Sequence, residues 1–138
     1  IKTNMYSIFN TTKQVYDGMV VRGWGRIINI SSVNGIKGQA GQSNYSATKA
    51  AIYGFNKSLA AECAKKGVTV NSISPGYIGT DMVRAIREDV LQKIVATVPI
   101  GRLGEPSEIA RTVAFLSADD AGLITGEDIT VNGGLYYR

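Results

Sequence analysis

Two short segments rich in β-branched residues, separated by a long helical pattern, constrain the fold of this chain most strongly. The first covers residues 26–31 and the second residues 68–74, which stops at Pro75 and Gly76. Between them, Ser43 is predicted to cap a helix over residues 43–66 that ends at Gly67. Two strands joined by one helix form a βαβ unit, whose strands are parallel. Small residues are predicted to form the inner face of this helix, namely Ala47, Ala50, Ala51, Gly54 and Ala61.

Further helices and a third short strand flank this unit. Apolar periodicity predicts helices over residues 1–22, 82–97 and 106–117, the second of them capped by Asp81. A last strand is expected over residues 128–132. Strands that alternate with helices predict an α/β fold with helices on both faces of a parallel sheet. Ligands bind such sheets beyond the carboxyl ends of the strands.

Composition narrows the class of protein. The chain has 138 residues, 44% hydrophobic and 19% charged, which fits one globular domain. No apolar run approaches the ~20 residues that a membrane-spanning helix needs, so no membrane partner is expected. The single cysteine, Cys63, favours a reducing, cytoplasmic location. Histidine is absent, which excludes Ser-His-Asp chemistry and the commonest zinc ligand, and no metal site is expected.

The net charge of +4 comes from fifteen scattered Lys and Arg residues. Scattered basic residues fit a solvated surface, and they also fit a small ligand that carries phosphates. No basic stripe interleaved with aromatic residues is present, so nucleic acid is not an expected partner.

Three residues near the predicted strand ends carry groups suited to proton chemistry. Tyr45 and Lys49 lie one helical turn apart, so an ammonium next to the phenol would stabilise the phenolate and make Tyr45 a stronger acid. Ser32 follows the first strand, where its hydroxyl can donate to a developing alkoxide. Taken singly, these residue types also fit a solvated helix face and a turn.

The chain resembles the short-chain dehydrogenase/reductase family in several motifs that occur in the family's order. The resemblance covers essentially the whole chain and implies a Rossmann-like doubly wound sheet, of which the carboxyl-terminal part is present. The motifs are Asn29-Ile-Ser-Ser32, Tyr45-Ser-Ala-Thr-Lys49, Val70-Asn-Ser-Ile-Ser-Pro75-Gly76, Thr80-Asp81, Arg102-Leu-Gly-Glu-Pro106 and Asn132-Gly133-Gly134.

This resemblance implies a role for each matching residue in carbonyl reduction with a nicotinamide cofactor. Tyr45 would act as the general acid, Ser32 would polarise the carbonyl, and Lys49 would assist Tyr45 and bind the nicotinamide ribose. Asn4 matches a fourth catalytic position, which holds a water molecule for reprotonation. Further cofactor contacts are implied for the turn that contains Pro75, Gly76, Ile78 and Thr80.

Within the family, residues 32–45 are most similar to the acetoacetyl-CoA reductases that supply polyhydroxybutyrate synthesis. This similarity implies that Gln39, Gln42 and Tyr77 contact the acetoacetyl group, together with Ser32 and Tyr45. It favours an acyl-CoA substrate and NADP(H) as cofactor. The helix over residues 82–97 resembles the family's mobile lid, and its basic residues Arg84, Arg87 and Lys93 are candidates for contact with coenzyme A phosphates. Reduction of a 3-oxoacyl-acyl-carrier-protein is the alternative.

Three elements of the family's cofactor site are absent: the Gly-rich turn, the residue that selects NAD or NADP, and the Asn-Asn-Ala-Gly stretch. Residues 1–138 are therefore expected to be the catalytic half of a domain, with the amino-terminal cofactor-binding half absent or supplied by a separate segment. Self-association into a dimer or tetramer is implied by the resemblance. An inactive interaction or structural domain, and a coenzyme A or nucleotide binder without turnover, are the alternatives.

Overall fold

A parallel sheet of three strands organises the computed structural model, which describes residues 2–137. The strands are β1 (Gly25–Ile30), β2 (Val68–Pro75) and β3 (Asp128–Val131), and β2 lies in the centre. Ile30 aligns with Ile73, and Ser72 aligns with Asp128. The predicted α/β class with a parallel sheet is confirmed, and the described part of the chain shows an open sheet rather than a closed one.

The helices follow the sequence pattern in outline. They are α1 (Ser7–Arg22), α2 (Val33–Lys37), α3 (Ser43–Cys63), α4 (Asp81–Arg84), α5 (Glu88–Ala96) and α6 (Pro106–Ser117). A π-helical turn (Lys2–Tyr6) precedes α1, and 3₁₀ turns cover Ala64–Lys66 and Asp119–Ala121. Ile1, where the first helix was predicted to begin, lies outside the described residues. Within residues 2–137, no helix has the length and hydropathy to cross a bilayer.

Helix α3 departs from the prediction at its start and on its inner face. Gln42, not Ser43, holds the N-cap position, and Asn44 satisfies a first-turn donor because its side-chain oxygen accepts the Tyr45 N–H at 2.8 Å. The predicted small residues do not form the buried face, since most of them are exposed. Residues at four-residue spacing form it instead: Thr48, Ile52, Asn56 and Ala60, followed by Cys63. Ile52 and Asn56, whose side chain is hydrogen-bonded to Asn29, fill the space that alanines would leave.

The helix predicted over residues 82–97 is two helices. Arg87 has an extended backbone, with φ −50° and ψ 137°, and separates α4 from α5. The predicted cap residue is also wrong, because Thr80 caps α4 and its hydroxyl accepts the Val83 N–H at 3.4 Å. Asp81 lies in the first helical turn, where its negative charge interacts favourably with the helix dipole.

The apolar core lies between the sheet and helices α1 and α3. Val68, Val70 and Cys63 are fully buried in it, and Tyr16 and Met19 of α1 pack against it. Polar side chains of the central strand β2 are buried as well. Asn71 donates to the Ile124 carbonyl at 2.8 Å and accepts the Glu127 N–H at 3.1 Å, so this side chain holds the segment that leads into β3.

Helix α6 begins with reciprocal capping between two glutamates. The Glu108 carboxylate accepts the Glu105 N–H at 2.8 Å and pairs with Arg102 at 2.8 Å, and Pro106 occupies the first turn. The Arg102 guanidinium, together with the Glu105 N–H, lowers the pKa of Glu108 from 4.5 to about 2. Because of this lowered pKa, the stability of the start of α6 depends on pH.

We expect Glu108→Gln to reduce the sensitivity of the fold to acid. The stabilisation from ionised Glu108 is complete above its ordinary pKa of 4.5 and is lost as the pH falls through about 2. Thermal unfolding midpoints measured across this range should therefore fall less in the variant than in the unsubstituted protein. Glu62→Gln is the control, and an equal fall in all three proteins would contradict the coupling.

Two glycines with positive φ give a matched test of packing at the start of β2. Gly23 has φ +67° with no atom near its missing Cβ, whereas a Cβ on Gly67, at φ +75°, would overlap the Gly23 carbonyl oxygen. We expect Gly23→Ala to lower the free energy of unfolding by about 1–2 kcal/mol through backbone strain. Gly67→Ala should lower it by about 1–3 kcal/mol more because of the overlap. Urea denaturation measures both, and equal losses would contradict this account.

Candidate active site

Ser32 occupies the turn just beyond β1 and caps α2, a short helix that the sequence pattern did not predict. Its backbone is extended, with φ −163° and ψ 148°, and its hydroxyl oxygen accepts the Asn34 N–H at 3.2 Å. The side chain is half-buried. Because the oxygen accepts in this bond, the hydroxyl proton remains available for donation to a substrate oxygen.

Tyr45 and Lys49 project from the first turns of α3 toward the same edge of the sheet. The Lys49 ammonium lies 5.8 Å from the centre of the Tyr45 ring and donates to the Ile30 carbonyl at 3.0 Å. Tyr45 is 37% exposed, so solvent and ligands reach it. Burial lowers the pKa of Lys49 below 10.5. The pair therefore lies at the carboxyl end of β1, where ligands bind parallel sheets.

Helix α2 fixes the distance between the Ser32 turn and α3. A Cβ on Gly35 would lie 2.8 Å from the Lys49 Cβ, so only glycine permits this close approach. The Ser31 hydroxyl also donates to the Lys49 carbonyl at 3.0 Å. The structure thus brings Ser32 and Lys49 to one place. Five residues that include Asn34 and Gly35 are a weak helix signal, so the sequence pattern does not predict α2.

Asn4 lies in the π-helical turn that packs against α3. Its side chain is exposed, and its carbonyl accepts the Ser7 hydroxyl at 3.1 Å. Single π-helical turns within helices are frequent at functional sites. Five residues are too few for apolar periodicity to separate this turn from an α-helix, so the sequence predicted a continuous helix.

The three predicted substrate contacts are divided between two places. Gln39 and Gln42 lie in the exposed loop between α2 and α3, where Asn34 donates to the Gln42 side chain at 3.4 Å. The Asn34 side-chain oxygen itself is buried and has no hydrogen-bond partner within residues 2–137. Tyr77 lies beyond β2 and lines a separate cleft with Val98 and other residues. Within residues 2–137, no hydrogen bond joins Tyr77 to either glutamine.

The turn after β2 is held by backbone contacts with two other segments. Gly76 donates to the Val131 carbonyl at 2.9 Å, and a Cβ on it would lie 2.9 Å from the Asn132 Cα, so packing against Asn132 requires glycine here. Ile78 forms a parallel bridge with Gly104. Pro75 ends β2, and the Thr80 hydroxyl caps α4.

The donors at this edge suit the nicotinamide ribose end of a dinucleotide. The Lys49 ammonium has three N–H groups, one of which bonds to the Ile30 carbonyl, so donors remain for ribose hydroxyls. Thr80 and Tyr45 add hydroxyl groups. The pyrophosphate end has no matching element in the chain, because no Gly-rich turn of the dinucleotide type is present.

Two of the basic residues expected to meet coenzyme A phosphates already have acidic partners. Arg84 pairs with Glu105 at 2.9 Å and donates to the Gly79 carbonyl at 2.9 Å, and Arg87 pairs with Asp89 at 2.6 Å. These pairs are exposed and contribute little to stability. A phosphate would have to share or displace the carboxylates.

Comparison with known proteins extends over nearly the whole chain. The family described as enoyl-(acyl carrier protein) reductase matches residues 1–136. The acetoacetyl-CoA reductase of Cupriavidus necator is 64% identical over 99% of this chain and 55% of its own length. A 3-oxoacyl-acyl-carrier-protein reductase of Vibrio cholerae is 52% identical over 99% of this chain and 56% of its own length.

A solved structure shows the same fold. The 3-oxoacyl-acyl-carrier-protein reductase of Brucella melitensis superposes with a TM-score of 0.92 at 38% identity, over 98% of this chain and 51% of that structure. The chain therefore spans about half the length of the curated relatives that it matches. From the match over residues 1–136 and the 64% identical relative, we conclude that the chain belongs to the short-chain dehydrogenase/reductase family.

Proposed function

We propose that this chain is the catalytic half of a reductase that converts the 3-keto group of acetoacetyl-CoA to (R)-3-hydroxybutyryl-CoA with NADPH. The position of Lys49 carries the proposal, since its ammonium donates to the carbonyl of Ile30 at the end of β1 and lies 5.8 Å from the centre of the Tyr45 ring. The acetoacetyl-CoA reductase of Cupriavidus necator, 64% identical to this chain, supports the choice of substrate.

Ser32, Tyr45 and Lys49 act on the ketone oxygen in this proposal. Reduced nicotinamide, when bound, supplies the hydride that the carbonyl carbon receives. The Tyr45 hydroxyl gives its proton to the carbonyl oxygen, and the Ser32 hydroxyl donates a hydrogen bond to that oxygen as negative charge develops on it. The Lys49 ammonium stabilises the Tyr45 phenolate that remains. Water held near Asn4 then returns a proton through Lys49.

The cofactor would be shared between this chain and residues outside it. Lys49, Tyr45 and Thr80, with the turn at Pro75, Gly76 and Ile78, would hold the nicotinamide and its ribose. The pyrophosphate and adenosine would be held by an amino-terminal segment that is not among the 138 residues. Preference for NADPH over NADH rests on the resemblance to acetoacetyl-CoA reductases. Gln39, Gln42 and Tyr77 are the proposed contacts of the acetoacetyl group.

Reduction of a 3-oxoacyl-acyl-carrier-protein is the second candidate, and one observation favours it. The 3-oxoacyl-acyl-carrier-protein reductase of Vibrio cholerae is 52% identical to this chain over 99% of its residues. Rates with the two thioesters decide between the candidates. Faster turnover of acetoacetyl-CoA supports the first, and clearly faster turnover of the carrier-protein thioester supports the second.

We expect Tyr45→Phe to reduce turnover of acetoacetyl-CoA at least about 100-fold, because the variant has no proton to donate. Turnover is followed by the loss of NADPH absorbance. The assay uses the chain alone and the chain joined to the amino-terminal part of the Cupriavidus necator relative, which supplies the missing half. Tyr16→Phe is the matched control, since its ring lies 5.6 Å from the Lys66 ammonium in a similar pair elsewhere.

Three results bear on the proposal. Turnover that depends on Tyr45 and not on Tyr16 supports it. Turnover that survives Tyr45→Phe contradicts the role of the phenol. Folded protein that is inactive in both forms contradicts reduction and favours an interaction or structural domain, or a binding protein without turnover.

Lys49→Met should abolish turnover while leaving the fold at least as stable. The lowered pKa of Lys49 means that burial disfavours its charged form, and this penalty is present at neutral pH and disappears as the pH rises past 10.5. The unfolding midpoint of the variant should therefore match or exceed that of the unsubstituted protein at neutral pH. Lys66→Met, in the matched pair, should retain turnover. A strongly destabilised Lys49→Met protein would contradict this account.

A further inference from the structure

A chain of hydrogen-bonded hydroxyl groups, with buried serines and a half-buried tyrosine, lies next to the proposed catalytic residues and has no part in the proton transfer described above. It joins α3 to all three strands through Ser31 of the β1 end, Tyr53 of α3, Ser74 of β2 and Asp128 of β3. Ser31 is 4% exposed and Ser74 is fully buried. The Tyr53 hydroxyl is 2.9 Å from the Ser31 hydroxyl, 2.8 Å from the Ser74 hydroxyl and 3.0 Å from the Ser32 carbonyl.

The carboxylate at one end sets the direction of these hydrogen bonds. Asp128 Oδ1 accepts from Ser74 at 2.8 Å and from Ser72 at 2.7 Å, and a carboxylate oxygen only accepts. Ser74 therefore gives its proton to Asp128, and its oxygen accepts from Tyr53. The Tyr53 proton is shared between Ser74 and the Ser32 carbonyl, and the Ser31 proton is shared between the Tyr53 oxygen and the Lys49 carbonyl.

Tyr53 thus contacts the backbone of Ser32 directly and the backbone of Lys49 through Ser31. Its hydroxyl bonds to the carbonyl of Ser32, and Ser31 bonds both to Tyr53 and to the carbonyl of Lys49. Tyr53 also lies on the same helix as Tyr45, two turns later. One phenol therefore connects the Ser32 turn to the helix that carries Tyr45 and Lys49.

We propose that Tyr53 is a positioning residue that, through Ser74 and Asp128, holds the Ser32 hydroxyl at its working distance from Tyr45. This role rests on the proposed function, because it acts only through those two groups. A misplacement of about 1 Å costs up to ~100-fold in rate. Loss of one of several restraints on the Ser32 turn should have a smaller effect.

We expect Tyr53→Phe to lower kcat for acetoacetyl-CoA about 10-fold with KM changed less than about 2-fold, since the ground-state contacts of the substrate remain. The kinetic isotope effect on kcat, with NADPH deuterated at the transferred hydrogen, should rise because the chemical step is slowed. A partly unfolded preparation would lose kcat without a change in the isotope effect. Tyr16→Phe is the control and should leave all three quantities unchanged.

Ser74→Ala provides a second test, because it separates Tyr53 from Asp128 and keeps the phenol in place. We expect about a 3-fold lower kcat on its own and no further loss when it is added to Tyr53→Phe. If Tyr53→Phe does not fold, kcat and the isotope effect of Ser74→Ala decide the question.

Different results overturn the two proposals. An unchanged kcat in Tyr53→Phe overturns the positioning role. If Tyr53→Phe does not fold, an unchanged kcat in Ser74→Ala does the same. In both cases the loss of turnover in Tyr45→Phe still supports reduction. Fully additive losses in the double variant also overturn it, as does a loss of kcat with an unchanged isotope effect. Absence of carbonyl reduction by the unsubstituted protein overturns the proposed function, and the role of Tyr53 falls with it.

Discussion

The parallel pairing of β1 with β2 determines where Ser32, Tyr45 and Lys49 of the candidate site lie. Ile30 aligns with Ile73, so both strands end at the same edge of the sheet, and the chain must cross back over the sheet between them. Helix α3 makes this crossing and begins at that edge. The Ser32 turn and the first turns of α3 therefore meet at one place, and the turn after β2 leaves the sheet at the same edge, although these segments are distant in sequence.

Buried polar groups of the sheet stabilise this arrangement of turns and helix on the side away from solvent. The central strand β2 is buried along most of its length, yet it carries Asn71, Ser72 and Ser74. Ser72 and Ser74 bond to Asp128 of β3, and Asn71 bonds to the segment that leads into it, so these side chains help to fix the position of a short strand. Hydrogen bonds in such an environment restrict conformation strongly, because leaving one unmade is costly. Tyr45, in contrast, is exposed to solvent.

The proposed division of chemistry follows from this geometry. Proton donors and an ammonium lie in the described residues, and in the proposal the hydride would come from a cofactor whose ribose this chain would contact. Lys49 combines two tasks, since its stem packs against α2 at Gly35 and its ammonium bonds to the end of β1. A half-buried lysine whose charged form is disfavoured in the folded state is typical of a functional rather than a stabilising residue.

The sequence alone determined the strands and most of the helices, because periodicity and glycine positions are local properties. It made Ser32, Tyr45 and Lys49 candidates through their positions and four-residue spacing, and the family resemblance implied their roles, which remain a proposal. Local patterns did not determine which face of α3 is buried, since alanines and Ile52 both satisfy an apolar stripe and only the sheet selects between them. They also missed the break at Arg87 and helix α2, where single backbone angles and packing at Gly35 decide the conformation. The tertiary structure alone joined Tyr53, Ser74 and Asp128, because hydrogen bonds between three separate elements leave no periodic trace in the sequence.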